Sequence, residues 1–270
     1  MMSPVCERKK QAVADSFSRA ADTYDSVAQL QRQVGEILQQ HIAQAGLGKP
    51  ARLVDLGCGT GYFTDRLATT YPDAHIFGLD LAGGMLAHAK AHRHPRLQWL
   101  GGDMEQLPFA AHSVDAMFTS LALQWCEDLP AFFRDVHSIL TPGGWLALCT
   151  LGPSTLHELR SSWAQVDDYV HVNQFDSAEH LRRCAAGAGL VEVQWRTDTV
   201  QLHYARLGEL THELKALGAH NVNEARAQGL TAPSKLRALT QAYERFRTPS
   251  GLPASYEVYW LVLKKAVPVL

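Results

Sequence analysis

Asp55-Leu-Gly57-Cys58-Gly59-Thr-Gly61 is the segment of this chain best suited to chemistry. Three glycines in a short loop let the backbone turn sharply and let a ligand approach where a Cβ would clash. The apolar run Arg52–Leu56 leads into the loop and a helical pattern follows at once. The loop therefore sits at the carboxyl end of a strand, the usual ligand position in open α/β sheets. The dinucleotide fingerprint G-x-G-x-x-G is not met, because the glycines are 57, 59 and 61 and position 62 is Tyr. Asp80 ends the next apolar run, 25 residues after Asp55. A carboxylate there can accept from both hydroxyls of a ribose. Alone, the same Asp would serve as a helix cap; the glycine loop ahead of it favours the ribose. Gly102-Asp103-Met104 follows the third apolar run, where Asp103 could also cap a surface turn.

These residues need a sheet to hold them. Between 51 and 150, Arg52–Leu56, His75–Leu79, Leu97–Leu100, Val114–Ser120 and Gly144–Thr150 read as strands, and 61–70, 83–92 and 128–139 as helices between them. That alternation predicts an α/β fold with a parallel, doubly wound sheet and right-handed crossovers. Residues 8–45 read as an N-terminal helical cap in two pieces, closed by Gly46, Gly48 and Pro50. Asp176-Ser-Ala-Glu179 reads as a capping box for a helix that ends near Gly187. Val191, Val193 and Trp195 alternate with polar residues as a strand, and a phase slip predicts a bulge or break near Asp198. Thr141-Pro-Gly-Gly144 reads as a turn. Residues 206–246 read as mostly helical, broken at His220–Glu224 and Gly229, and Ser255–Lys264 as a final strand. A helical stretch between two late strands is placed to act as a lid on a single domain spanning 1–270.

Composition sets the outer limits. The chain has 270 residues, 46% of them hydrophobic, so a packed core is expected. A net charge of −2 gives no general footprint for nucleic acid or a membrane surface. The N-terminus lacks the apolar stretch of a signal peptide, and runs such as Trp145–Leu151 are too short to span a bilayer. Cys6, Cys58, Cys126, Cys149 and Cys184 are odd in number and show no CxxC, so neither a disulfide framework nor a metal site is expected. Reduced thiols in the cytoplasm are the simplest expectation.

Strand, Asp, then G-x-G-x-G resembles the class I S-adenosylmethionine-dependent methyltransferases. That resemblance implies a Rossmann-like, mostly parallel seven-stranded sheet with helices on both faces. It implies S-adenosylmethionine as cofactor, S-adenosylhomocysteine as product, and a loop lying against the methionine part. By the same resemblance Asp55 orients the loop or reaches the amino group through water. Gly57, Cys58, Gly59 and Gly61 shape the cradle, and Asp80 with Leu81 holds the ribose. Asp103 and Met104 meet the adenine edge, and Leu121 borders the cofactor. Leu107-Pro-Phe109 and Ser113-Val-Asp115 resemble the family's lead-in to strand four. Gln124 and Trp125, which follow that strand, would stand beside the methyl group, where Trp125 could equally be core packing.

Phe17-Ser-Arg-Ala-Ala-Asp-Thr-Tyr24-Asp25 is similar to the N-terminus of the malonyl-acyl-carrier-protein O-methyltransferases of biotin synthesis. Glu213-Leu-Lys-Ala-Leu-Gly-Ala-His-Asn-Val-Asn223, Arg226 and Gly229-Leu-Thr231 resemble that family's lid, and Tyr256-Glu-Val-Tyr259 its last strand. His212 and Glu213 stand where the family commonly has Arg-Gly, and Ala225 where Gly is common. The implied substrate is a malonyl thioester on acyl carrier protein or coenzyme A, methylated on its free carboxylate. Tyr24 would close over the methionine end and touch the acceptor. Arg226 would grip the carboxylate or thioester with its planar fork, and Asn221 and Asn223 would shape the lid hinge. The carboxylate is already ionised at neutral pH, so no general base is needed and no catalytic dyad is expected. Three other readings stand beside this one. They are a quinone-type C- or O-methyltransferase, a non-enzymatic S-adenosylmethionine-binding protein, and a nicotinamide oxidoreductase, which Tyr62 disfavours.

Overall fold

The apolar runs pair into one seven-stranded sheet in the computed structural model, which describes residues 4–217 and 232–267. The strands are β1 (Arg52–Leu56), β2 (His75–Asp80), β3 (Gln98–Gly101), β4 (Val114–Ser120), β5 (Leu140–Leu151), β6 (Leu190–Tyr204) and β7 (Leu252–Lys265). Their order is β3-β2-β1-β4-β5-β7-β6. Neighbours from β3 to β5 are parallel, while β7 runs antiparallel to both β5 and β6. The doubly wound, mostly parallel seven-stranded sheet expected from the sequence is the one observed. The chain leaves β1 toward β2 on one side and returns at β4 on the other. That reversal opens a crevice at the carboxyl ends of β1 and β4.

Central strands bury both faces, which is why β1 and β4 are nearly unbroken apolar runs. One face is covered by α2 (Gln29–Gln44), α3 (Tyr62–Thr70), α6 (His157–Trp163), α8 (Leu207–Ala216) and α9 (Pro233–Glu244), which bury Leu38, Leu67, Leu159, Leu210 and Tyr243. The other is covered by α5 (Leu129–Ile139) and α7 (Ala178–Gly187), which bury Phe132, Phe133 and Leu181. Leu30, Val34, Leu38 and Ile42 recur every four residues and give α2 its buried stripe. Trp260 of β7 then donates its indole N–H to Val34 O at 2.8 Å. Asp128 caps α5 by accepting from Ala131 N–H at 2.9 Å, an interaction worth about 1 kcal/mol. α1 (Pro4–Val27) forms a separate small cluster with α4 (Gly83–His92), Ala14 and Ala21 packing with Ala82 and Met85.

The slip in β6 falls between Glu192 and Gln194, not near Asp198. Val193 is the extra residue there, and it is 43% exposed, as Val191 before it is 54% exposed. α7 is capped by Ser177, whose Oγ accepts from His180 N–H, while Asp176 Oδ1 lies 2.7 Å from His180 Nδ1. Thr141-Pro-Gly-Gly144 lies inside β5, where pairing with β4 shifts register, and is not a separate turn. The break expected at His220–Glu224 and Gly229 falls outside the described residues, and α8 and α9 are its described flanks. Among the described residues no helix is long and apolar enough to cross a membrane. Nor does any group of three or more His, Cys, Asp or Glu suit a metal ion, and Cys58, Cys126, Cys149 and Cys184 are free thiols.

Candidate functional site

The loop from β1 to α3 is stitched to the end of β2. Gly57 and Cys58 N–H groups both donate to Leu79 O, at 2.8 and 3.0 Å. Gly59 N–H donates to Asp80 Oδ2 and Ala82 N–H to Asp80 Oδ1, each at 2.8 Å. One carboxylate thus holds two loops in register. Gly57, Gly59 and Gly61 all have positive φ, at 68°, 53° and 74°, a region that disfavours any residue with a Cβ. A Cβ on Gly57 would strike Ala122, whereas one on Gly59 would meet no atom within 4 Å. Gly59 is therefore the point where the loop backbone is bare to a ligand.

That bare backbone faces a cavity of about 600 Å³ at the strand ends. Asp80, the last residue of β2, lines it with Leu81, as do Asp103 and Met104 after β3, and Leu121 and Gln124 after β4. Leu121 has φ +51°, a left-handed backbone costing a non-glycine residue roughly 1–2 kcal/mol, and such strain gathers at sites. Gln124 Nε2 donates to Leu121 O at 2.6 Å. α1 is the roof: Val13, Phe17 and Tyr24 look into the cavity, and Phe17 meets the Trp125 ring edge-on at 5.6 Å. Burial, with the charges of Asp80 and Asp25 adding, raises the Tyr24 phenol and keeps it neutral. A second wall comes from Val170, Asn173 and Gln174, between α6 and α7.

The roof is tied down at both ends. Lys10 Nζ lies 2.6 Å from Asp103 Oδ2 and also pairs with Glu105. Glu105 Oε1 in turn accepts from the N–H groups of Glu127 and Asp128, at 2.9 and 2.7 Å. At the other end Asp25 accepts from Thr60 Oγ1 at 2.7 Å and pairs with Arg93, whose Nε donates to Thr60 O at 2.9 Å.

Tyr24, Gly57, Gly59, Asp80, Leu81, Asp103, Met104, Leu121, Gln124 and Trp125, all read from sequence, border this one cavity. Asp55 and Cys58 stand behind the loop, around a smaller recess that shares Tyr24, Gly57 and Gly59 with it. Asp55 is 2% exposed and accepts from Thr64 Oγ1 at 2.6 Å. Burial, assisted by the charge of Asp80, pushes its carboxyl up to about 7. Burial likewise raises the Cys58 thiol, leaving it a protonated wall. Gly61 caps α3 and lines neither space. Asn221, Asn223 and Arg226 lie outside the described residues.

A family model described as a methyltransferase domain matches residues 54–148. The malonyl-acyl-carrier-protein O-methyltransferase of Hahella chejuensis is 41% identical over 92% of this chain and 88% of its own. That of Dechloromonas aromatica is 40% identical over 95% of both. This chain belongs to that family. The biotin biosynthesis bifunctional protein BioHC of Cellvibrio japonicus is 50% identical over 95% of this chain but 50% of its own length. The chain thus spans about half the length of its bifunctional relatives. Among solved structures, YcgJ of Bacillus subtilis superposes with TM-score 0.58 at 18% identity, covering 86% of this chain and 98% of its own. Geranyl diphosphate C-methyltransferase of Streptomyces coelicolor, solved with S-adenosyl-L-homocysteine, gives 0.53 at 18%, covering 90% and 84%. The fold is the class I methyltransferase fold.

For this member of the family, sequence reasoning passed over Lys10, Phe17 as a roof residue, Glu105, Arg93 and the 170–176 wall. The signal for Asp25 was present, since it closes the Phe17–Asp25 motif. Lys10 carried none, because a lysine on a helix reads as a solvated charge.

Proposed function

We propose that this chain is an S-adenosylmethionine-dependent methyltransferase that esterifies the free carboxylate of malonyl-acyl-carrier protein, an early step of biotin synthesis in the cytoplasm. The observation that carries the reading is the alignment with relatives of that name over more than nine-tenths of this chain. The chain's residues fit the donor. The bare backbone at Gly59 offers a cradle that a Cβ would fill. Asp80 keeps lone pairs for both ribose hydroxyls after its two backbone bonds. Asp103, held by Lys10, accepts from the adenine amino group, and Leu81, Met104 and Leu121 supply apolar contact. Tyr24 closes over the methionine end.

When bound, S-adenosylmethionine supplies a methyl group on a sulfonium, taken by a carboxylate oxygen as the carbon–sulfur bond breaks. The chain has no proton to move, since the acceptor is ionised at neutral pH. Its work is orientation, which can contribute about 7–11 kcal/mol. Gln124 spends one N–H on Leu121 O and keeps the other for the acceptor. A neutral amide holds a carboxylate without damping its nucleophilicity, which a tight ion pair in a dry pocket would do. Trp125, braced by Phe17, closes that side of the cavity to water. Asn223 and Arg226, which the family resemblance assigns to the acceptor, lie outside the described residues.

Purified protein given labelled S-adenosylmethionine with malonyl-acyl-carrier protein, malonyl-coenzyme A or a quinone precursor should form a methyl ester of a malonyl thioester. Transfer to the quinone precursor alone would overturn the acceptor assignment. Absence of S-adenosylhomocysteine binding would overturn the donor assignment.

A further inference from the structure

Between α6 and α7 the chain crosses residues 164–177 without forming helix or strand, an unusually long connection inside a compact domain. Yet this stretch puts Val170, Asn173, Gln174 and Asp176 on the wall of the cavity. Val172 anchors it in the core, but an apolar contact sets no direction. Asp167 supplies the direction. Its Oδ1 lies 2.7 Å from His171 Nε2 and accepts from Tyr169 N–H at 3.2 Å, and its Oδ2 accepts from Lys235 Nζ at 2.7 Å. Against the desolvation that would raise it, hydrogen bonds from Lys235, His171 and Tyr169 hold its carboxyl down at about 2. The His171 ring lies flat on Trp163 of α6, with centroids 3.6 Å apart and 7° between the planes. Lys235, in the first turn of α9, also stands 5.3 Å from the centroid of the Tyr169 ring. One carboxylate thus fastens the stretch to α6 through His171 and to α9 through Lys235.

The sheet order assigns this wall to one reactant. Asp80, Leu81, Asp103 and Met104 reach the cavity from the ends of β2 and β3, on one side of β1. The wall descends from β5, beyond β4, on the other side. Asn173 and Gln174 bring neutral hydrogen-bonding groups there, while Asp176 Oδ1 lies 2.7 Å from His180 Nδ1. Asp167 itself does not border the cavity. We propose that Asp167 is a positioning residue for the methyl acceptor: through His171 and Lys235 it sets the 170–176 wall, where Asn173 and Gln174 meet the acceptor. The assignment rests on the methyl-transfer reading above and adds to it a residue that acts on one reactant and not the other.

Steady-state kinetics on the acceptor that the wild type methylates, with calorimetry of S-adenosylhomocysteine, test this. Asp167→Asn keeps the size of the side chain and removes its charge. Acceptor kcat/KM should fall roughly ten- to a hundredfold, the scale for a misplaced reactant, while the Kd for S-adenosylhomocysteine stays unchanged. Lys235→Met, at a side chain 39% exposed, should reproduce the selective loss. The double variant should be no worse than the worse single one, because both break one contact. Lys235→Arg, which keeps the ion pair, should retain most of the activity. Thermal unfolding checks each variant, and Lys235→Met carries the test should Asp167→Asn not fold. Parallel losses in acceptor kcat/KM and donor affinity would make the contact a general structural one and overturn the proposal. Unchanged acceptor kinetics in folded variants, or additive losses in the double variant, would overturn it too. A wild-type protein that methylates no acceptor would overturn the methyl-transfer reading instead.

Discussion

Asp80→Ala separates two jobs that the structure gives to one carboxylate. In the free protein its oxygens accept from Gly59 and Ala82 N–H groups at 2.8 Å each, joining the glycine loop to the start of α4. Burial raises the Asp80 carboxyl, and backbone N–H groups from Ala82, Gly59 and Leu81 pull it back. Hydrogen bonds to a charged group contribute about 1.5–3 kcal/mol each, and the cavity admits water to replace part of that. Two such bonds, taken at or below the low end, give a loss of about 2–3 kcal/mol in the stability of the ligand-free protein. Donor binding should fall independently, because both ribose hydroxyls lose a charged acceptor. A further 1.5–3 kcal/mol there corresponds to roughly ten- to a hundredfold in Kd. Thermal unfolding without ligand and calorimetry with S-adenosylhomocysteine measure the two effects on the same preparation. Lower stability with unchanged Kd would make Asp80 a loop staple alone and put the ribose elsewhere. Weaker binding with unchanged stability would show that the Gly59 and Ala82 bonds contribute nothing to the fold.

Lys10→Met should raise the KM for the donor several-fold and spare the acceptor KM, because it releases the roof from Asp103 and Glu105; Lys10→Arg should restore most of it. Equal changes in both KM values would refute a role at the adenine end. Asp55, at about 7 when folded against about 4 unfolded, contributes stability that is full below pH 4 and fades as pH rises through 7. Asp55→Asn should therefore flatten the stability profile of the ligand-free protein between pH 4 and 7, and parallel profiles by chemical denaturation would refute the burial argument. Among the described residues, Asp80, Asp103, Glu105, Glu127 and Asp176 line the cavity with Lys10 as the one cation. An anionic acceptor should thus bind the complex with the cationic donor analogue sinefungin more tightly than the neutral S-adenosylhomocysteine complex, and equal affinities by calorimetry would sink that view.

The parallel half of the sheet is legible because strands buried on both faces read as apolar runs, and helices between them change the period. The position of β7 is not legible in that way. The composition of Ser255–Lys264 marks a strand, but not that the strand inserts between β5 and β6. The β6 slip shows in the sequence as a change of phase, but its place does not, for a related reason. Val191, Val193 and Trp195 continue an apolar alternation, and only pairing with β7 reveals that Val193 is an extra residue. In the site, Gly59 and Asp80 announce themselves because the loop's positive φ and its carboxylate staple demand those residue types. Lys10 does not, since a cation on a helix is ordinarily a solvated one. Its partner is remote, Asp103 lying 93 residues away, and Arg93 likewise meets Asp25 across 68 residues.

The Tyr24-Asp25 pair is where these scattered contacts meet, and it gives the N-terminal motif a physical reason. Tyr24 borders both the cavity and the recess. The Asp25 carboxylate holds Thr60 and Arg93, and its carbonyl holds Arg32. A roof helix attached only by apolar contacts could slide along α4, because Ala14, Ala21 and Met85 are not directional. Hydrogen bonds to Asp25 and the ion pair at Lys10 remove that freedom at both ends. The roof is then held in one register over Asp80 and Asp103. In the proposed reaction, placement of the acceptor carboxylate depends on that register, because orientation there takes the place of a general base.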